Sequence, residues 1–337
     1  MIDLTQLAKA DIHRHLEGSI RVSTAWDLAR TNNQISESMS LADFAARLEI
    51  RSPVPLLEAL DRFDLFRRPV VGHDAVARIT RESIEDAVAD HVDALELRFS
   101  PFTLARSAGL DVAGVYAAVA DGVAQGRART AIARLGVVVV VSRRRGLDAA
   151  WEVVRAVERY GLGFISGLDL ASDELRFRTS AFADVARAAV DLGLPLTVHT
   201  GEGADAGHVA EALALPGVRR LGHALSIVDD PGLVAEARDR GVVIEVCPTS
   251  NVRAGVVASY ADHPVTKMRA GGLAVALCSD DPALFGIDLS HEFAVARAHL
   301  GFQDADLVAS NDVARAALFD AAIPRTHHPN LPRPGTR

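Results

Sequence analysis

Leu135-Gly136-Val137-Val138-Val139-Val140-Val141 carries no polar side chain at any position. A strand with one face in water alternates polar and apolar residues, so a run without a polar face reads as a parallel strand covered on both sides. Seven residues are also far too few to span a bilayer. Ala274-Val275-Ala276-Leu277 repeats the pattern near the other end of the chain. Around these two, short apolar runs alternate with longer amphipathic ones. Candidate strands lie at 8–13, 92–98, 135–141, 164–170, 195–199, 220–223, 242–247 and 273–278. Helical patterns at 112–125, 147–160, 181–192 and 228–240 are each long enough to cross back over a sheet. Eight strand–helix units predict an α/β fold whose parallel strands close a (β/α)8 TIM-type barrel, with a doubly wound open sheet as the alternative.

One barrel domain is expected over 1–323, with a helical insertion after the first strand at roughly residues 20–90. Helical patterns at 23–31, 41–48 and 83–91 would build that insertion into a lid or pocket wall. The tail 324–337, with Pro324, Pro329, Pro332 and Pro334, is expected to be loosely attached. With 337 residues, 49% of them hydrophobic, the chain can bury a large core. A net charge of -8 and no basic run longer than Arg143-Arg144-Arg145 argue against nucleic acid and favour a small molecule as partner. Cys247 and Cys278, the two cysteines, sit singly in apolar runs, which predicts no disulfide framework and a reducing, cytoplasmic setting. No charged head precedes a long apolar stretch, so neither a signal peptide nor a membrane anchor is expected.

Catalytic groups of such barrels gather at the carboxyl ends of the strands. The first strand runs out through Asp11-Ile12-His13-Arg14-His15-Leu16-Glu17-Gly18. Residues two apart on a strand share a face, so His13 and His15 project together, about 7 Å apart by the usual rise per residue. The fifth strand ends His199-Thr200-Gly201-Glu202 and the sixth Gly222-His223-Ala224. The seventh ends Cys247-Pro248-Thr249-Ser250-Asn251 and the eighth Cys278-Ser279-Asp280-Asp281-Pro282. Singly each has a bland reading: His-x-His by chance, His199 closing a core strand, Glu202 solvated, Asp280-Asp281-Pro282 a helix cap. Five of eight strands presenting such groups at one rim is a stronger statement than any one of them.

The chemistry that fits is a catalytic zinc. Zn²⁺ accepts imidazole nitrogen and carboxylate oxygen, which His13, His15, His199 and Asp280 supply, with a water completing the set. Four protein ligands exceed the usual three, so Asp280 is read as the weaker ligand that also accepts from the water. Two-metal barrels commonly use a carboxylated lysine from a middle strand. Lys9 and Lys267 are the only lysines here and 164–172 holds none, so one zinc per chain is expected.

Taken together, these blocks resemble the adenosine deaminase family of the amidohydrolase superfamily. They are His13-x-His15-Leu-Glu17-Gly, His199-Thr-Gly-Glu202, Arg220-Leu-Gly-His223, Cys247-Pro-Thr-Ser-Asn and Ser279-Asp280-Asp281-Pro. Glu96-Leu-Arg-Phe-Ser-Pro101 and Asp169-Leu-Ala-Ser-Asp-Glu174 match as well, so the resemblance runs from about residue 8 to 300. It implies a purine substrate and hydrolytic deamination at C6 of an adenine ring, with adenosine as the leading substrate. By resemblance, His13, His15, His199 and Asp280 match the zinc ligands, and Asp280 is also catalytic. Glu202 matches the acid that protonates N1, and His223 the residue that orients the bound water and moves its proton. Asp281 matches the group that bonds N7; His15, Glu17 and Ser172 complete the substrate-binding set. Two positions depart from the pattern. Glu17 stands where relatives acting on adenosine have Asp, and Ser172 where they have Gly. The extra methylene of Glu17 takes room from a sugar and resembles relatives acting on free adenine or other 6-aminopurines. Alternative substrates are therefore 6-aminodeoxyfutalosine, free adenine or an N6-substituted adenine. Further alternatives are a mononuclear hydrolase of a cyclic amide or ester, and a barrel that only binds purines. His73, His91, His208, His263 and His291 lack strand-end context and are read as structural.

Overall fold

The computed structural model describes residues 2–161 and 163–319. The tail expected at 324–337, with His327 and His328, lies outside the described residues. β1 (Lys9–His15) passes through a 3-10 turn, Glu17–Ser19, into α1 (Val22–Thr31), α2 (Leu41–Leu48), α3 (Leu56–Arg67) and α4 (His73–Ala89). Then come β2 (Val92–Phe99), α5 (Pro101–Ala108), α6 (Val112–Arg129), β3 (Arg134–Ser142), α7 (Gly146–Ala156) and β4 (Gly167–Ala171). α8 (Ala183–Asp191), β5 (Leu196–Thr200), α9 (Ala206–Ala214), β6 (Val218–His223), α10 (Pro231–Asp239) and β7 (Val243–Val246) follow. The described chain ends with α11 (Pro248–Arg253), α12 (Val265–Ala270), β8 (Ala274–Leu277), α13 (Pro282–Phe285), α14 (Leu289–His299) and α15 (Asp304–Ala317).

The strands lie side by side in sequence order, every neighbouring pair parallel. The ring closes just past β8, where Arg14 and Asp280 form a parallel bridge. Asp280 N–H donates to His13 O and His15 N–H to Asp280 O, both at 2.8 Å. Lower down, β1 and β8 do not pair, and α15 satisfies the backbone groups left over. Asn311 takes the Ala10 N–H (2.8 Å) and donates to Ala8 O (2.9 Å), while Ser310 Oγ takes the Leu277 N–H (3.0 Å). The barrel thus holds and the open sheet does not.

Several boundaries differ from the sequence reading. The strand expected at 164–170 begins at Gly167, because Phe164 and Ile165 N–H groups bond back to Gly161 O and Phe164 packs its ring on Tyr116. The helix expected at 83–91 begins at His73, since Val76, Ile79, Thr80, Ser83 and Ile84 form one buried stripe that two polar members disguised. α3, in the insertion, carried no clear pattern. The insertion is tied to the rim: Ile50 N–H donates to Leu284 O (2.8 Å) and Val54 N–H to Arg253 O (3.0 Å). Among the described residues no helix is long and apolar enough to cross a membrane.

Candidate active site

β1, β5 and the segment after β8 bring four ligand atoms together: those of His13, His15, His199 and Asp280 lie within 4.8 Å of one another. Asp280 Oδ1 is 3.2 Å from His13 Nε2 and 3.3 Å from His15 Nε2, and His15 and His199 Nε2 face each other at 3.3 Å. His13 and His15 lean together, their ring centroids 5.2 Å apart. The backbone bonds at the barrel seam set this geometry, because they lock Asp280 beside both histidines.

The donor set fits a zinc-like cation. His13 Nδ1 donates to Glu245 Oε2 (2.7 Å) and His199 Nδ1 to Asp169 Oδ1 (2.9 Å), which leaves both Nε2 lone pairs aimed inward. His13 Nε2 is fully buried without a hydrogen-bond partner, an orphan that a metal would satisfy. Burial lowers the pKa of His199 to about 4 and that of His15 well below its usual value, so both rings are neutral, the ligand form. At His13, burial and Arg98 act downward, but the carboxylates of Asp280 and Glu245 beside the ring outweigh them and hold the pKa at about 9. A proton and a cation compete for that one lone pair.

Glu202 and His223 stand beside this cage, with Glu202 Oε1 3.8 Å from His223 Nε2. The Glu202 side chain is 29% exposed, yet burial is still the largest cause of its raised pKa. Asp281 has a buried Oδ1 without a partner, and burial followed by the charges of Asp280, Glu17 and Glu202 pushes its pKa well up. It approaches the chain so closely that a Cβ at Gly18 would lie 1.8 Å from Asp281 Oδ1, so Gly18 admits no other residue. Glu17 is buried, accepts the Ser100 N–H (2.8 Å) at the start of α5, and is raised by burial to about 7. Ser172 is exposed at the end of β4 with φ +79, the conformation that suits glycine. Ser172, His223 and Asp280 are three of the six non-glycine residues with positive φ among those described, so strained backbone gathers at this rim.

Other residues hold the site without having been singled out in the sequence. Arg98 donates to Asp169 Oδ2 (2.9 Å) and Glu245 Oε2 (3.1 Å), fixing both carboxylates behind the histidines. Arg143 is buried and donates to Ser172 O (3.2 Å) and His199 O (2.7 Å), joining β4 to β5. Glu174 accepts the Gly201, Glu202 and Gly203 N–H groups at 2.7, 3.0 and 3.0 Å and so clamps the turn carrying Glu202. A lone charge inside an apolar strand, as in Val242-Val243-Ile244-Glu245-Val246, was the available signal. His263, read as structural, is bonded to Asn251 and through it to both Glu202 and His223.

The chain matches the adenosine deaminase family model over residues 8–331. It is 34% identical to an adenosine deaminase of Shewanella loihica over 95% of this chain and 97% of that one. Among solved structures, it superposes on an adenine deaminase from Arthrobacter aurescens with TM-score 0.85 and 25% identity, covering 93% and 94% of the two chains. An amidohydrolase from Burkholderia ambifaria with bound zinc gives TM-score 0.84 and 26% identity over 93% of this chain and 86% of that one. A family match over residues 8–331, together with 34% identity over nearly the whole length of a relative, shows the family: this chain is an aminohydrolase belonging to the adenosine deaminase family.

Proposed function

We propose that the protein catalyses zinc-dependent hydrolytic deamination of a 6-aminopurine nucleoside, adenosine first: water adds at C6 and ammonia leaves, giving inosine. The observation that carries this reading is the inward-facing set of His13, His15, His199 and Asp280 directly beside a carboxyl, Glu202, whose burial favours its protonated form. One zinc per chain held by those four residues would supply a water of lowered pKa. Ring nitrogens N1 and N7 are acceptors only, so both partners must bring a proton. Glu202 delivers its proton to N1, which makes C6 electrophilic, and Asp281, kept protonated by burial and its anionic neighbours, donates to N7. His223, buried at the end of β6 with its ring centroid 5.1 Å from that of His13 and 5.2 Å from that of His199, takes the role of orienting the attacking water and moving its proton.

A second reading is favoured by Glu17. Its longer side chain reaches the start of α5 and commits an oxygen to Ser100 N–H, which alters the side of the pocket expected to hold a sugar. That points toward free adenine, the substrate in the name of one structural neighbour, or toward another 6-aminopurine. Ammonia release from zinc-loaded protein with adenosine, deoxyadenosine, adenine, AMP and 6-aminodeoxyfutalosine separates the two. Preference for adenosine supports the first reading. Feeble turnover of adenosine beside rapid turnover of another member assigns Glu17 and Ser172 to a changed pocket.

A further inference from the structure

Asn251 lies between Glu202 and His223, and His263 lies behind Asn251. The direction of each bond follows from the back of the chain forward. Val265 N–H can only donate, and it points at His263 Nδ1 from 3.2 Å. That nitrogen therefore carries a lone pair, and the neutral ring holds its proton on Nε2. Nε2 lies 3.2 Å from Asn251 Oδ1 and donates to it. The amide is thereby oriented, with Oδ1 turned to His263 and Nδ2 turned into the site. Its two N–H groups go to Glu202 Oε1 (3.2 Å) and His223 Nδ1 (3.1 Å). A flipped amide would set its NH₂ against the N–H of His263, two donors with no acceptor between them. Asn251 is 0% and His263 2% exposed, so water does not stand in for either partner.

We propose that Asn251 and His263 are positioning residues of the deamination site: His263 locks the Asn251 amide, and that amide fixes both the Glu202 carboxyl and the tautomer of His223. The proposal rests on the deaminase reading above for its kinetic consequences only. With Oε1 accepting from Asn251, the proton of neutral Glu202 resides on Oε2, the oxygen left for the substrate. With Nδ1 of His223 accepting, the neutral ring carries its proton on Nε2, toward Glu202 and the pocket. Burial pulls the pKa of His263 down to about 4, so the lock stays neutral across the working range.

The test combines kinetics with histidine ¹⁵N NMR on the zinc-loaded, full-length enzyme. Asn251→Ala should lower kcat by roughly 10²-fold, within the span of general acid–base effects, with KM changed less than about threefold. His263→Ala should cost about tenfold, and His263→Gln, which restores a donor toward Oδ1, should recover most of that loss. The double variant should be no slower than Asn251→Ala alone, because His263 acts through Asn251. The backbone bonds of Asn251, to Cys247 O and from Val256 and Val257 N–H, survive the side-chain change. NMR should show unprotonated Nδ1 in His223 and His263, with the His223 signals shifting in Asn251→Ala. Multiplicative effects of the two alanine variants, or a protonated Nδ1 on His223 in the unaltered enzyme, would overturn the proposal. If the unaltered enzyme deaminates no 6-aminopurine, the proposed function fails while the NMR result still decides the lock.

Discussion

In the proposed reaction Glu202 protonates a ring nitrogen near neutral pH and so has to resist ionisation, and its surroundings favour the acid form. Burial acts first, His223 opposes it, and the negative charges of Asp280 and Glu174 reinforce it. Because the raised pKa belongs to the acid form that does the work, kcat/KM should fall as pH rises through that pKa. Glu202→Gln removes the donor without changing size, so turnover should drop roughly 10²- to 10⁴-fold while bound zinc is retained. Its alkaline limb should vanish from the pH profile. A near-normal rate would move the acid role elsewhere. At this scale the sequence was readable where chemistry shows in residue type at a strand end: His13, His15, His199, Glu202, His223, Asp280 and Asp281. It was silent on Asn251–His263, because that contact depends on where the α11–α12 connection folds back, which no local spacing encodes.

Between elements, a metal site depends on carboxylates one layer behind its ligands. Asp169 in β4 and Glu245 in β7 reach across the barrel interior to His199 in β5 and His13 in β1. Asp169→Asn keeps the size but weakens the acceptor for His199 Nδ1 and for Arg98. Zinc affinity should fall roughly 10- to 100-fold, as read by competition with a chelator. Unchanged affinity would show that ring orientation at His199 is set by backbone alone. The strands themselves were legible because a parallel strand buried on both faces must be apolar, as in Val137–Val141. Edges were less so. Phe164 is apolar for packing on Tyr116 rather than for pairing, and the buried stripe of α4 includes the polar Thr80 and Ser83, so its first turns before residue 83 do not stand out as an apolar pattern.

For the whole molecule, the barrel interior is not apolar throughout. Arg220 donates to Glu96 at 2.6 and 2.9 Å and forms an ion pair with Glu245 at 2.7 Å, all three side chains being buried. Arg220→Met would leave the buried Glu96 without its cationic partner, while Glu245 keeps Arg98 and His13, so we expect a loss of about 3–5 kcal/mol in urea unfolding. A loss under about 1 kcal/mol would mean that Glu96 simply takes up a proton. This stack of charges joins β2, β6 and β7 and reaches His13 through Glu245, coupling barrel integrity to the candidate site. The most direct test of the account is to strip the metal, return zinc stepwise, and follow ammonia release from adenosine or the best substrate of the panel. Activity should be absent without metal, rise in proportion to zinc and level off at one equivalent per chain. Full activity without metal, or a plateau only at two equivalents, would contradict the single cage of His13, His15, His199 and Asp280.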